Sequence, residues 1–437
     1  MASFKVIHDS VHGSVKVEGV FLKLLATPEF QRLHGINQLG LAHLVFPGAH
    51  HTRLEHSLGT FYIASKMVDM LNIKKDERKE VLAAALLHDL GHAPFSHTLE
   101  EIMVNRLGLN HVDLSQKIIL GELSCLNSEE SRYLSGHTSI KEVLEEEGIS
   151  PQKVCSLVAL PICPETPGQS VLEVENGQAH FGRANYLHQI IHGPIDADQM
   201  DYLLRDAHYT GVAHGVIDLD RLLQTITVHH GDIVVHKNGM VAVEGLLVAR
   251  ALMYTSVYFH KTVRIAEMML CKAVEMSDPS LFHNIHRETD SSLSEKLISQ
   301  GGFSARLITK LKYRELYKKC FSLSMTDMSE EDLDNLLGLT DYKKRKEKEE
   351  EIAFKSGVHV SEVIIDIPSR ELLISEPRID KTEVPILDDF KVRPLSKYSP
   401  LAKALQSRSV FDWAIMVSCP DRYKSEVGKV AAKVIFD

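Results

Sequence analysis

The sequence predicts a mainly α fold: a helical core, small β-hairpin insertions and a C-terminal α+β lobe. Three observations predict it. Apolar residues follow His56 at helical spacing (Leu58, Phe61, Ala64, Met67, Val68, Leu71), and a second apolar run fills 76–88. Short alternating stretches flank glycine-bearing turns near the N-terminus and again before residue 244. Past residue 300 strand-like runs such as VSEVIIDIP and FDWAIMVSCP appear between helices. The 437 residues suffice for two or three domains, or for one large core with appendages. The division is expected near residue 300, with 1–300 as the helical core and 301–437 as the lobe.

Residues 1–20 alternate around Gly13 and Gly19 and predict a hairpin-like arm. Residues 21–46 read as helical, with Pro28 at a helix start behind Thr27. After the loop FPGAHHTR comes the His56 helix. The 76–88 helix stops at Gly91 and Pro94, and Ser96 stands where it can N-cap a helix running to about Leu107. Residues 110–150 read as polar helices, PICPETPGQS as a loop, and VLEVENGQAHF as strands about an NG turn. Helix returns from about Asn185 to His208. QTITVHHGDIVVHKNGMVAV predicts a small antiparallel sheet turning at HGD and KNG, followed by one long helix over 244–277. KLKYRELYKKC predicts a basic amphipathic helix, DYKKRKEKEEEIAF is a charge run of mixed sign, and PDRYKSEVGKVAAKVI predicts a closing helix.

The net charge of −10 argues against a surface that coats polyanions, though a small basic pocket is compatible with it. Six scattered cysteines form no CxxC pair, which fits reduced thiols in a cytoplasm. The start MASFKVIHDS lacks the basic and apolar regions of a signal peptide. No apolar run is expected to reach the ~18–20 residues that span a bilayer.

The chemistry concentrates at HDLGH (88–92), where an apolar helix stops. His88 and Asp89, with His56 and Asp198, would supply two nitrogens and two oxygens from three helices. That donor set suits Mn²⁺, Fe²⁺, Co²⁺, Ni²⁺ or Zn²⁺, with Mg²⁺ less natural beside imidazole. Arg250, Tyr254, Tyr258 and Lys261, at spacings of four, four and three, would line one helix face and address phosphate and sugar or base. Tyr202 and Asp206 follow Asp198 on its own face, and Arg53 precedes His56 by one turn. His92, His97 and His111, with Glu100 beside His97, are candidates for proton transfer to a leaving oxygen, and spacing does not rank them. His50–His51 and His229–His230 fall in turns, where solvated side chains are expected. His188 and His192 have no acidic neighbour in sequence and read as structural.

These motifs together resemble the HD-domain phosphohydrolases, in their deoxynucleoside triphosphate triphosphohydrolase branch. The resemblance runs in order through HDSVHG (8–13), TPEFQRL (27–33), QLG (38–40), VFPGAHHTRLEHSLG (45–59), LLHDLGHAPFSH (86–97) and DADQMDYLLRD (196–206). It weakens through 244–277, KYREL and VIIDIP. It implies a helical HD-domain core and metal ligation by His56, His88, Asp89 and Asp198. It implies phosphate contacts from Arg53, Arg250 and Lys261, and a proton-transfer group among His92, His97 and His111, with Glu100 where the family has Asp. Gln38, Leu39, Tyr202, Asp206 and Tyr258 match sugar-pocket positions; there Leu and Tyr crowd the 2′ position while Gln and Asp read the 3′-hydroxyl. A homo-oligomer, dimer or tetramer, is implied as well. The acidic residue and the arginine that flank TPxFQRL in nucleotide-activated relatives are here Ala26 and His34, and Gln199 replaces a Lys. The similarity begins within the first ten residues, so no separate preceding domain is expected.

The expected activity is hydrolysis of deoxynucleoside triphosphates to deoxynucleoside and triphosphate, by metal-activated water attack at the α-phosphorus. The competing enzyme is an HD phosphohydrolase acting on nucleoside monophosphates or phosphodiesters. The competing non-enzyme is a nucleotide-sensing or nucleic-acid-binding protein, which the acidic charge and the complete ligand set disfavour.

Overall fold

In a computed structural model, residues 4–134, 136–159, 172–175, 178–181, 186–324, 328–368, 383–405 and 413–435 are described. The N-terminal alternation forms the antiparallel pair Phe4–Asp9 and Gly13–Glu18, with Phe4 opposite Glu18 and Asp9 opposite Gly13. Residues 21–46 are helical only in pieces: Val20–Leu25, Pro28–Gln31, and 3-10 turns at Arg32–Gly35 and Ala42–Leu44. Thr27 caps the second piece, accepting from the Phe30 amide. A close approach explains the irregular loop that follows. Gly40 has φ 49°, and a Cβ there would stand 3.1 Å from both Phe95 O and Thr98 Oγ1.

Helix Arg53–Met70 starts with a capping box between Thr52 and Glu55 and packs against Lys75–Leu87 and Ala197–Thr210. Gly59 permits the second contact, because a Cβ there would lie 1.9 Å from Asp201 Oδ1. Helix Lys75–Leu87 is buried from Val81 onward and delivers His88 at its C-cap. Gly91 lets the turn beyond Asp89 press on helix His111–Ile119, where a Cβ would meet His111 O and Ser115 N at 2.2 Å. Ser96 does not cap a helix. Phe95 adopts a left-handed conformation (φ 59°), a 3-10 turn Ser96–Leu99 leads into Glu100–Leu107, and the Ser96 hydroxyl donates to Asn37 O at 2.7 Å. Helices His111–Ile119, Ser128–Tyr133 and Ile140–Glu146 occupy the polar stretch. The hairpin Leu172–Glu175 with Gln178–Phe181 forms as expected, whereas PICPETPGQS lies outside the described residues.

Three expectations fail around residue 240. HGD does turn the hairpin Ile226–His229 and Asp232–His236, but KNG opens a 3-10 turn that feeds helix Met240–Met253. The sheet is completed instead by Pro385–Asp388, parallel to Asp232–His236, and by Lys391–Pro394. The single helix expected over 244–277 is interrupted. A π turn spans Tyr254–Tyr258, with Phe259 N donating to Tyr254 O at 2.9 Å, and a new helix runs from Lys261 to Glu275. The stretch Lys237–Tyr258 is long and apolar enough to cross a bilayer (mean hydropathy 1.5), which corrects the expectation of no such run. Half of it is buried inside the protein, and Arg250 sits within it.

KLKYRELYKKC is not one helix. Helix Gly302–Lys312 ends, Arg314 turns the chain at φ 57°, and strand Lys318–Leu323 begins. That strand, Ile415–Cys419 and Ile364–Asp366 form an antiparallel sheet with Ile415–Cys419 in the centre. The charge run is helix Tyr342–Ser356, and Lys424–Val434 closes the chain. Cys125, Cys155, Cys271, Cys320 and Cys419 are free thiols, and Cys163 lies outside the described residues.

Candidate metal centre and adjoining cleft

Three helices bring His56, His88, Asp89 and Asp198 together. His56 Nε2 lies 3.0 Å from Asp198 Oδ1 and 3.6 Å from Asp89 Oδ2. His88 Nε2 lies 3.3 Å from Asp89 Oδ1 and 3.7 Å from Asp198 Oδ1. Each ring is oriented from behind. His56 Nδ1 donates to Asp201 Oδ2 at 2.7 Å, and His88 Nδ1 donates to Ala85 O at 2.9 Å. Both Nε2 atoms therefore turn their lone pairs inward, and both are buried without a well-formed hydrogen bond. Two imidazole nitrogens facing two carboxylates is a donor set that a divalent cation satisfies. Burial would lower the His56 pKa, yet the surrounding Asp198, Asp201 and Asp89 carboxylates raise it to about 10, a sign of negative charge that a cation would neutralise. Burial would raise Asp89, yet Arg53, His88 and His92 hold its carboxyl well below the usual range.

The support beneath His56 was not legible as a site. Asp201 accepts from His56, from His12 Nε2 at 2.6 Å and from Arg205 Nε and Nη2 at 2.9 and 3.0 Å. Arg205 also donates to Asp9 Oδ2 at 2.8 Å, and Asp9 Oδ1 accepts the amides of Val11 and His12. The N-terminal arm is thereby tied to the candidate metal ligands. The available signal was HDSVHG opening the run of motifs, and an Asp and an Arg four apart beyond Asp198. Asp201→Asn is expected to reduce divalent-metal affinity about 10- to 100-fold. Calorimetric titration with Mn²⁺ measures it, and an unchanged affinity would show that Asp201 does not orient His56.

His92, His97 and His111 form a second group, with the His92 and His111 rings stacked at 4.2 Å between centroids. Glu100 accepts from His97 Nδ1 at 2.8 Å and from His111 Nδ1. Burial would raise Glu100, yet those two hydrogen bonds hold it well below the carboxylate range. His92 Nε2 lies 3.2 Å from Asp89 Oδ1, which joins this group to the metal centre. Burial pushes His92 well down, and the Arg53 and His111 charges add to that.

A cavity of about 360 Å³ adjoins the centre, lined by Gln38, Leu39, Arg53, His97, Tyr202, Asp206, Tyr254 and Tyr258, among others. Arg53 donates to Ser96 Oγ at 2.9 Å and reaches Asp89 Oδ2 at 2.5 Å. Gln38 Oε1 is buried without a partner among the described residues. Asp206 is already engaged on both oxygens, by His51 Nε2 and by the Tyr258 hydroxyl, each at 2.7 Å. His51 corrects the reading of a solvated turn: it is 1% exposed and stacks on Tyr209. His188 and His192 do prove structural, bonded to Ala159 O and Val158 O. Arg250 stays beside Tyr254, buried with its guanidinium 5.5 Å from the Tyr254 ring centroid, whereas Lys261 lies beyond the π turn and is exposed at the start of the next helix. Another missed residue is Arg32. It is 9% exposed and donates to Leu90 O and His92 O, each at 2.8 Å, and so fixes the turn that follows Asp89.

The HD domain family model matches residues 53–206, and the HD associated region matches 217–436. The uncharacterized protein MJ1154 of Methanocaldococcus jannaschii is 33% identical over 423 residues, 95% of this chain and 79% of that protein. The deoxynucleoside triphosphate triphosphohydrolase SAMHD1 of Homo sapiens is 28% identical over 335 residues, 72% of this chain, and the match spans 49% of the human protein. A crystal structure of a hypothetical protein from Aquifex aeolicus superposes with a TM-score of 0.68 at 26% identity, covering 98% of this chain and all of that one. With both family regions matched and a candidate His/Asp metal centre assembled, the chain belongs to the HD-domain family and is a metal-dependent phosphohydrolase.

Proposed function

We propose that this enzyme hydrolyses deoxynucleoside triphosphates to deoxynucleoside and triphosphate. The observation that carries the reading is the cleft beside the metal centre, walled by Gln38, Leu39, Tyr202, Asp206 and Tyr258. A divalent ion held by His56, His88, Asp89 and Asp198 would supply Lewis-acid activation of water and neutralise phosphate charge. Arg53, at the edge of the cleft and bonded to Asp89, faces the phosphates. Gln38 Oε1, buried and unpartnered, accepts the sugar 3′-hydroxyl, while Leu39 and the Tyr258 ring close the 2′ side. Asp206 works here chiefly by fixing Tyr258. Water attacks the α-phosphorus, the bond to O5′ breaks, and one of His92, His97 and His111 gives the leaving oxygen its proton. Glu100 orients the last two of these rings. The described cysteines, all free thiols, agree with a cytoplasmic setting, and the resemblance supports a homo-oligomer.

A substrate panel tests the reading: dNTPs, NTPs, nucleoside monophosphates and cyclic nucleotides, with Mn²⁺, Mg²⁺, Fe²⁺ and Co²⁺ in turn. The expected result is a preference for dNTPs over NTPs of about 10-fold or more, the scale of one sterically refused hydroxyl. Turnover of monophosphates or cyclic nucleotides alone would move the enzyme to the other branch of the family.

A further inference from the structure

The lining of the cleft also includes Thr98, Val263, Arg264 and Glu267. Arg264 Nη1 donates to Glu267 Oε2 at 3.0 Å. From its other side Arg264 is gripped by Asp366, with Nη2 to Oδ1 at 2.6 Å and Nε to Oδ2 at 3.3 Å. One guanidinium thus stands between two carboxylates, and this part of the lining is net negative. The same lining holds Arg53, which is bonded to Asp89. Opposite charges on the two groups favour a nucleoside triphosphate whose phosphates approach Arg53 and whose base approaches Glu267. Burial raises the Glu267 pKa while Arg264 opposes the rise, so a further N–H donor from a ligand would stabilise this carboxylate.

Resting on the deoxynucleotide reading, we propose that Glu267 is a base-specificity residue whose carboxylate accepts a hydrogen bond from an amino group on the base edge. Arg264, clamped by Asp366, positions that carboxylate. Adenine, cytosine and guanine carry the amino group. Thymine offers only an N–H flanked by two carbonyl oxygens, which repel a carboxylate. The family motifs at 88–97 and 196–206 do not include this pair, which comes from the helix beyond the π turn.

The test is a cycle between enzyme and substrate. For the wild-type enzyme, kcat/KM is measured with the four dNTPs and with purine 2′-deoxyriboside triphosphate, which is dATP without its amino group. Glu267→Gln is then measured on the same set. Loss of a hydrogen bond to a charged group corresponds to about a 10-fold change or more. The wild type is expected to prefer dATP over the deaminated analogue by that factor, mainly through KM, and E267Q is expected to lose the preference while retaining activity on dTTP. The analogue comparison stands on the wild type alone if E267Q does not fold. A wild type that hydrolyses all four dNTPs with no dependence on the amino group, or an E267Q enzyme reduced equally on all of them, overturns this inference and leaves the substrate reading intact. A wild type that hydrolyses no dNTP overturns both.

Discussion

His88→Ala is expected to abolish divalent-metal uptake and to lower phosphohydrolase activity by about 10³-fold or more, the scale of losing several kcal/mol of charge stabilisation. His88 stands at the C-cap of an apolar helix, with its Nδ1 spent on Ala85 O and its Nε2 directed at Asp89 and Asp198. His56 is held in place by Asp201 and cannot swing across to replace it. The variant keeps the apolar helix that carries the position, so the fold is expected to survive. Metal content by atomic emission and turnover by product release measure the two effects together. Full metal content with full activity in the variant would remove these four residues from the mechanism.

Arg205→Ala is expected to destabilise the fold by about 3–5 kcal/mol. Its guanidinium is fully buried and supplies three hydrogen bonds, two to Asp201 and one to Asp9. Burial would lower its pKa, but the two carboxylates raise it, so the charge is permanent in the folded state. Alanine would leave two buried carboxylates without their counter-charge, a greater loss than the hydrogen bonds alone. The N-terminal arm would detach from the Asp201 helix, and His56 would lose a well-placed acceptor. Denaturant unfolding measures the effect, with Arg205→Lys expected to recover part of it. A change below about 1 kcal/mol would show that the buried network carries little of the stability.

The candidate ligands were legible because each sits in a short local motif. A histidine and an aspartate where an apolar helix stops declare themselves without knowledge of the fold. Their supports were not legible, since the partners are remote in sequence: His56 and Asp201 are 145 residues apart, and Arg205 and Asp9 are 196 apart. His51 read as a turn residue for the same reason, because its partner Asp206 lies 155 residues on. The break in the 244–277 helix carries no proline or glycine to signal it. It comes from a π turn that helical periodicity does not register. The parallel strand Pro385–Asp388 joins its sheet across about 150 residues of chain, so local pattern could show the hairpin at 226–236 but not its neighbours. Ser96 looked like a cap, and tertiary contacts with Asn37 and Arg53 use its hydroxyl instead.

The proposed reaction turns on water attack at the α-phosphorus beside the His56, His88, Asp89 and Asp198 centre, with the 5′-oxygen leaving. Hydrolysis of a dNTP in ¹⁸O-labelled water, followed by mass spectrometry of the products, tests it most directly. One ¹⁸O is expected in the released triphosphate and none in the deoxynucleoside. Release of deoxynucleoside monophosphate and pyrophosphate, or ¹⁸O in the deoxynucleoside 5′-hydroxyl, would contradict it.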